Sequence, residues 1–271
     1  MKQYEKESLI QIVGEKLLKL TINQLRKINQ IIDQFMSNHS FSREKESDII
    51  VNDDVLNAFG DALRSHHSSS AEPFTKDKFE FALVAVLNEN DILAKKAKAG
   101  NPGHDIEIRE QRFSLKTQAD KSLKADRIHI SKFMELGKGI WTDKEDELIG
   151  LRNQFFRHIR GYDRILVLRL LGKPPDYWDY ELIEIPKDLL LEAMQGELVM
   201  MQNSTQIVKP GYCNVYENGK QQPQDKSSKG GLKFSLYFDG GGERKLQIKD
   251  LKKKYCILHA EWKFAPVGNL E

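Results

Sequence analysis

The sequence predicts an α/β protein of the α+β kind, in which helices flank a mixed central β-sheet and a helical region comes first. Three patterns support this class. Apolar residues recur at helical spacing over residues 8–36. A nearly continuous apolar run at residues 164–171 is typical of a strand covered on both faces. Polar and apolar residues alternate over residues 105–108, which is typical of a half-buried strand.

Composition and length limit the class of protein. The chain has 271 residues, of which 39% are hydrophobic and 30% are charged. No apolar run approaches the roughly 18 residues that a membrane helix needs, and the charged N-terminus does not resemble a signal peptide. We therefore expect a cytoplasmic protein with no membrane span. Cys213 and Cys256 are 43 positions apart, which favours two reduced thiols over a disulfide or a zinc cluster.

The N-terminal region, residues 1–73, is predicted to be helical. Its first segment forms either one long helix or two helices that break near Thr21. A polar stretch follows over residues 37–47, and a second helical pattern covers residues 52–65. The next five residues, 66–70, include paired histidines and have the composition of a flexible loop.

Residues 74–271 are predicted to form a core with a C-terminal hairpin region, although one continuous domain is an alternative. Thr75 is expected to cap a helix that carries Glu80. Two strands, at residues 105–108 and 113–117, then form a hairpin. Residues 131–136 favour a helix, but the alternation just before them also fits a strand, so this boundary stays open.

The second half of the chain has clearer signals. Thr142 and Glu145 have the spacing of a capping box that opens a helix. Strands are expected at residues 164–171 and 180–185, and Pro186 begins another helix. A long loop is expected over residues 202–231. The last predicted unit is a hairpin whose three strands are residues 232–238, 244–248 and 255–264.

Charge alone does not indicate a nucleic-acid-binding protein, because the net charge is +2 and the isoelectric point is about 8.3. Basic residues nevertheless cluster at residues 109–132 and 244–254. Such stretches are usually solvated faces, so they indicate binding only where other chemistry lies beside them.

The hairpin carries the strongest chemical signal. Strand alternation places Asp105 and Glu107 on one face of the first strand, and Ser114 and Lys116 on one face of the second. If these faces coincide, Asp105 can hold a divalent cation while Lys116 positions or activates a water near a phosphate. The alternative is a solvated face with a cross-strand ion pair.

A family resemblance favours the first alternative. Pro102-Gly103-His104-Asp105, followed after eight residues by Ser114-Leu115-Lys116, resembles the Pro-Asp…(Asp/Glu)-x-Lys nuclease motif, especially in type II restriction endonucleases. Two residues separate Pro102 from Asp105, and Ser114 stands where the second carboxylate would be. The resemblance implies a restriction-endonuclease-like fold, Mg²⁺-dependent hydrolysis of double-stranded DNA and a homodimer.

The resemblance also implies roles for individual residues. Asp105 ligates the metal, Lys116 acts on the water or the phosphate, and Ser114 is part of the same site. The missing carboxylate comes from Glu135 on a following helix, from the upstream Glu80, or from Glu107. Phosphate contacts are expected from Lys121, Lys124 and Arg127, and base contacts from Lys233, Arg244, Lys245, Gln247 and Lys249.

The leading functional hypothesis is therefore a sequence-specific endonuclease that cleaves double-stranded DNA with Mg²⁺. One alternative is a repair or modification-dependent nuclease of the same fold. A catalytically inactive DNA-binding relative is another, and a scaffold protein with no DNA affinity is a third, chemically unrelated, alternative.

Overall fold

A computed structural model describes residues 2–44, 52–98, 103–120, 123–137, 141–217 and 231–267. Within these ranges the chain forms a mixed seven-stranded sheet, an antiparallel five-stranded sheet and six α-helices. Helices flank the mixed sheet, which confirms the predicted α+β class. No helix in the described part of the chain is both long and apolar enough to cross a membrane.

The helices are α1 (Lys2–Leu17), α2 (Ile22–Met36), α3 (Asp53–His67), α4 (Lys76–Glu89), α5 (Glu147–Ile159) and α6 (Lys187–Leu191). The strands are β1 (His39–Arg43), β2 (Ala94–Lys96), β3 (Ile106–Ile108), β4 (Gln111–Gln118), β5 (Arg127–Glu135), β6 (Arg164–Gly172), β7 (Trp178–Glu184), β8 (Glu197–Met200), β9 (Gly211–Tyr216), β10 (Leu232–Asp239), β11 (Lys245–Lys252) and β12 (Ile257–Phe264). Short 3₁₀ turns cover Glu192–Gln195 and Lys253–Tyr255.

The first sheet has the strand order β1-β12-β7-β6-β4-β3-β2. All neighbours are antiparallel except β4 and β6, which are parallel. Parallel neighbours need a crossover connection, and here it runs through β5 and α5. Apolar side chains of α3 and α4 pack on one face of the sheet, whereas α5 and the second sheet share a core with the other face.

The second sheet has the order β5-β11-β10-β9-β8. Its hairpin of β10 and β11 was predicted, and residues 255–264 contain a strand as expected, but this strand does not lie beside the hairpin. This segment forms β12, which pairs with β1 and β7 in the first sheet. The predicted loop at residues 202–231 was also wrong in part, because it contains β9.

The N-terminal region follows most of its prediction. Thr21 separates α1 from α2 and forms a capping box with Gln24. Thr75 caps α4 as expected. One prediction was wrong, because the paired histidines form the last turn of α3 instead of a loop. The polar stretch at residues 37–47, for which no strand was predicted, contains β1. Trp262 of β12 donates a 2.8 Å hydrogen bond to the Leu56 carbonyl of α3, so packing crosses position 73.

Two boundaries near the middle of the chain also need correction. The segment that ends at Glu135 is strand β5, so of the two alternatives left open there the strand is confirmed and the helix was wrong. Helix α5 begins at Glu147 and not beside Thr142. The Thr142 amide donates to Glu147 Oε2 at 2.6 Å, so Glu147 takes the contact that the capping box assigned to Glu145.

Candidate active site

The hairpin of β3 and β4 fixes the position of Asp105. Residues Arg109 and Glu110, with φ angles of 47° and 71°, form the tight turn. The Asp105 amide donates to the Phe113 carbonyl at 2.8 Å, which extends the ladder by one residue. One carboxylate oxygen, Oδ2, accepts hydrogen bonds from the Leu115 amide at 2.6 Å and from Ser114 Oγ at 3.3 Å. Ser114 therefore orients Asp105 from a buried position.

Helix α4 brings Lys76 to this carboxylate and places Glu80 beside Lys76. Lys76 Nζ lies 2.6 Å from Asp105 Oδ1 and 3.5 Å from Glu80 Oε1. Burial alone would lower the pKa of Lys76, but the hydrogen bond to Asp105 and the charges of Asp105 and Glu80 raise it. Glu80 is only 8% exposed and also pairs with Lys96 at 3.0 Å. Asp105 and Glu80 therefore have Lys76 as a common partner.

Lys116 lies on β4, where it pairs with Val167 of the parallel strand β6. Its ammonium is 5.4 Å from the centre of the Phe133 ring. Desolvation lowers the pKa of Lys116 to about 8, although the charge of Asp105 opposes this shift and that of Lys76 adds to it. Lys116 and Lys76 line one cavity of about 420 Å³ together with residues of β5. A lysine with a lowered pKa in a cavity is typical of a functional site.

His158, in the last turn of α5, and Tyr162, just after this helix, lie near Lys116 and Asp105, and sequence reasoning missed both. Burial and the charge of Lys116 lower the pKa of His158 to about 4, while burial and the charge of Asp105 raise that of Tyr162. The Tyr162 hydroxyl is buried and has no hydrogen-bond partner within the described residues. No sequence pattern marked them, because only the fold shows that α5 ends beside Asp105 and Lys116.

The other candidate carboxylates have different partners. Glu107 pairs with Lys95 at 2.7 Å and with His104 at 3.1 Å. Glu135 pairs with Lys132 at 3.0 Å on its own strand, and its side chain is 70% exposed. The structure therefore brings Glu80, and not Glu135 or Glu107, into contact with the group around Asp105. Glu135 was expected to supply the missing carboxylate from a helix, but it lies at the end of strand β5.

Several of the predicted DNA-contacting residues surround a second cavity. Lys124, Arg127 and Lys249 line a volume of about 470 Å³ between the end of β4 and the edge of the second sheet. His129, which sequence reasoning did not select, lines the same cavity, and burial together with Lys249 lowers its pKa. Strand β5 borders this cavity and the active-site cavity, so the two are neighbours.

The remaining predicted DNA contacts are dispersed. Lys233 pairs with Glu192 at 2.6 Å and Lys245 with Glu243 at 3.6 Å. Arg244 lies 5.2 Å above the Trp141 ring, and Gln247 donates to Asp239 Oδ2 at 3.1 Å. Lys121 lies outside the described residues.

Comparison with known proteins identifies the family. The family model "SmaI: Type II site-specific deoxyribonuclease" matches residues 14–264. The chain belongs to this SmaI family. The type II restriction enzyme SmaI of Serratia marcescens is 44% identical over 222 residues, which cover 82% of this chain and 84% of that enzyme. No solved structure matches the chain.

Membership of the SmaI family confirms the predicted type II restriction endonuclease. The chain is a sequence-specific deoxyribonuclease, so its substrate is DNA and its reaction is hydrolysis. The match to the SmaI family covers the hairpin, α4, α5 and both sheets, so every element of the candidate site belongs to the matched region.

Proposed function

We propose that this endonuclease is of the Pro-Asp…(Asp/Glu)-x-Lys type, with Asp105 and Glu80 as ligands of Mg²⁺ and Lys116 as the residue that acts on the attacking water. One observation supports this proposal above all. Asp105 and Glu80 both contact Lys76, and Lys76 lines the same cavity as Lys116, whose pKa responds to both carboxylates. Ser114 replaces the second carboxylate of the motif and serves instead as a donor to Asp105.

The residues fit a magnesium ion. Oxygens of Asp105 and Glu80 already converge on one cation, the Lys76 ammonium, at 2.6 and 3.5 Å. Within the described ranges no group of three or more His, Cys, Asp or Glu side chains is arranged to hold a metal. Mg²⁺ does not need such a cage, because it usually retains several waters and binds one or two carboxylates together with substrate phosphates.

The chain's own residues have distinct tasks in hydrolysis. When bound, Mg²⁺ would supply charge stabilisation at the scissile phosphate. The Leu115 amide and Ser114 hold Asp105 in a fixed orientation. With a pKa near 8, Lys116 exchanges a proton readily at Nζ, so it can orient a water molecule and accept a proton from it. Phe133 contacts the ammonium and shields it from bulk water.

DNA is proposed to lie across β5. Lys124, Arg127 and Lys249 of the second cavity would contact phosphates beside the active site. The described residues contain one set of Asp105, Glu80 and Lys116, so cleavage of both strands in one encounter needs a second copy of the chain. We therefore propose a homodimer with two-fold symmetry. A cytoplasmic location, where DNA is accessible, stays a prediction.

Cleavage of plasmid DNA with and without Mg²⁺ tests this proposal. Lys116→Ala is expected to lower the cleavage rate at least about 100-fold while DNA affinity changes less than about three-fold. The matched control is Lys95→Ala, because Lys95 pairs with Glu107 outside the site; we expect it to cut at the wild-type rate. Undiminished cutting by Lys116→Ala, or equal cutting without any divalent cation, would refute the assigned roles.

A further inference from the structure

Lys76 occupies the position between the two carboxylates that are proposed to bind Mg²⁺. It is the first residue of α4, directly after the N-cap Thr75. Its ammonium contacts Asp105 at 2.6 Å and Glu80 at 3.5 Å, and it lines the same cavity as Lys116. A positive charge therefore lies between the two carboxylates.

Other contacts hold the two carboxylates independently of Lys76. Asp105 Oδ2 is fixed by the Leu115 amide and Ser114, and Glu80 Oε2 is paired with Lys96 at 3.0 Å. The oxygens that face Lys76 are the other ones, Asp105 Oδ1 and Glu80 Oε1. Withdrawal of the ammonium would thus leave both ligands in place with one oxygen each directed at the vacated position.

The Lys76 side chain has room to withdraw. It is 40% exposed, whereas the Glu80 side chain is 11% exposed and that of Asp105 is 18% exposed. A long aliphatic chain with one end at the surface can move its ammonium into solvent or toward an incoming phosphate at small cost. The buried partners cannot follow it.

We propose that Lys76 is a positioning residue that acts as an internal counter-ion, which holds Asp105 and Glu80 in the metal-free enzyme and competes with the divalent cation for them. The proposal depends on the metal site proposed above. Two cations cannot share one position, so each metal-binding event must first break the Lys76 ion pairs. Free energy that stabilises the metal-free state then lowers the apparent affinity for the metal.

Calorimetric titration of the DNA-free protein with Ca²⁺ tests this role without any measurement of cleavage. Lys76→Met keeps the length of the side chain but removes its charge, and we expect about ten-fold tighter Ca²⁺ binding. Lys76→Arg keeps a competing cation and should stay within about two-fold of wild type. Lys95→Met, which removes a neighbouring lysine paired with Glu107, should also match wild type.

A second readout is the melting temperature. Lys76→Met should melt below wild type without a cation, because two carboxylates lose their partner, and saturating Ca²⁺ should raise its melting temperature by more than it raises that of wild type. Unchanged or weaker Ca²⁺ binding by Lys76→Met would overturn the proposal.

Asp105→Asn distinguishes a failure of the proposed metal site from a failure of the counter-ion role of Lys76. If Asp105→Asn loses Ca²⁺ binding but Lys76→Met does not gain affinity, the metal site stands and the counter-ion role of Lys76 fails. If Asp105→Asn binds Ca²⁺ as wild type does, the metal site itself is misplaced and both proposals fail.

Discussion

At the scale of single residues, burial determines the chemistry of several titratable groups. His67 is a clear case outside the active site. Its ring stacks on Trp178 at 3.5 Å, Nδ1 donates to the Ser70 carbonyl, and Nε2 accepts from the Tyr180 hydroxyl at 2.7 Å. These partners fit the neutral ring, since a carbonyl can only accept a proton. Burial accordingly lowers the pKa of His67 to about 4.

This lowered pKa predicts the pH dependence of stability. The unfolded chain binds a proton on each histidine near pH 6.5, whereas the folded protein does so on His67 and His158 only near pH 4. Stability is therefore complete above about pH 6.5 and falls between there and about pH 4, by about 1.4 kcal/mol per pH unit for each ring. Urea unfolding at several pH values measures this slope, and His67→Gln should remove its share. A variant with the full wild-type slope would contradict the assignment.

At the scale of elements, β5 lies between the proposed active site and the proposed DNA-binding surface, because its residues line both the cavity of Lys76 and Lys116 and the second cavity. Beside it on β11, the Lys249 ammonium lies 3.5 Å from the centre of the Tyr237 ring. The ring fixes this charge on the face of the sheet.

The salt dependence of DNA binding tests this arrangement. Lys124→Ala and Lys249→Ala should each reduce the slope of log affinity against log salt concentration by about 0.9, the value for one lost phosphate contact. Lys233→Ala is the matched control, because Lys233 is paired with Glu192 at 2.6 Å. Fluorescence anisotropy with a labelled duplex and no Mg²⁺ gives the slopes. Equal slopes for all three variants and wild type would place the DNA elsewhere.

The same elements show how much the sequence could predict. The hairpin of Asp105 and Lys116 and the buried strand β6 were predictable, because each has the regular period of a half-buried or a fully buried strand. Strand β5 was not, because three residues between Ile130 and Met134 oppose one residue of β11. This irregularity makes Phe133 and Met134 both buried, so the alternation of a strand is lost.

Contacts that depend on the tertiary fold could not be predicted from the sequence, because the residues that form them are far apart in the chain. Lys76 meets Asp105 across 29 positions of sequence, and nothing in the local pattern of either residue indicates the other. Strand β1 contains mostly polar residues with exposed side chains and lies at the edge of the sheet, so it has no apolar period to detect. Its pairing with β12 creates the strand.

At the scale of the whole molecule, Arg169 links the two sheets. It lies on β6 with no exposed surface and forms an ion pair with Glu181 of β7. The same guanidinium donates to the carbonyls of Lys124 and Arg127 at 2.6 and 2.7 Å, in the segment that enters the second sheet. Glu181 also pairs with Lys253, just after β11. The backbone beside the second cavity is thus hydrogen-bonded to the sheet that contains Asp105's hairpin and Lys116.

Breaking this buried pair should be costly. Arg169→Met leaves Glu181 with Lys253 alone and removes the donor that binds Gln118 and the carbonyls of Lys124 and Arg127. We therefore expect a loss of about 3–5 kcal/mol in unfolding free energy. Removing both charges in Arg169→Met/Glu181→Leu should cost less than the sum of the single changes. Urea denaturation of the single and double variants completes this cycle. Additive losses would show that the two residues act separately.

The place of β12 between β1 and β7 has a consequence for synthesis of the enzyme. Strand β1 emerges from the ribosome among the first elements, but its neighbour in the sheet is the last strand of the described chain. The sheet that carries the catalytic hairpin therefore stays divided until translation has passed Phe264. We expect nascent chains to be inactive toward DNA, so that this nuclease acquires its activity only after β12 has been synthesised.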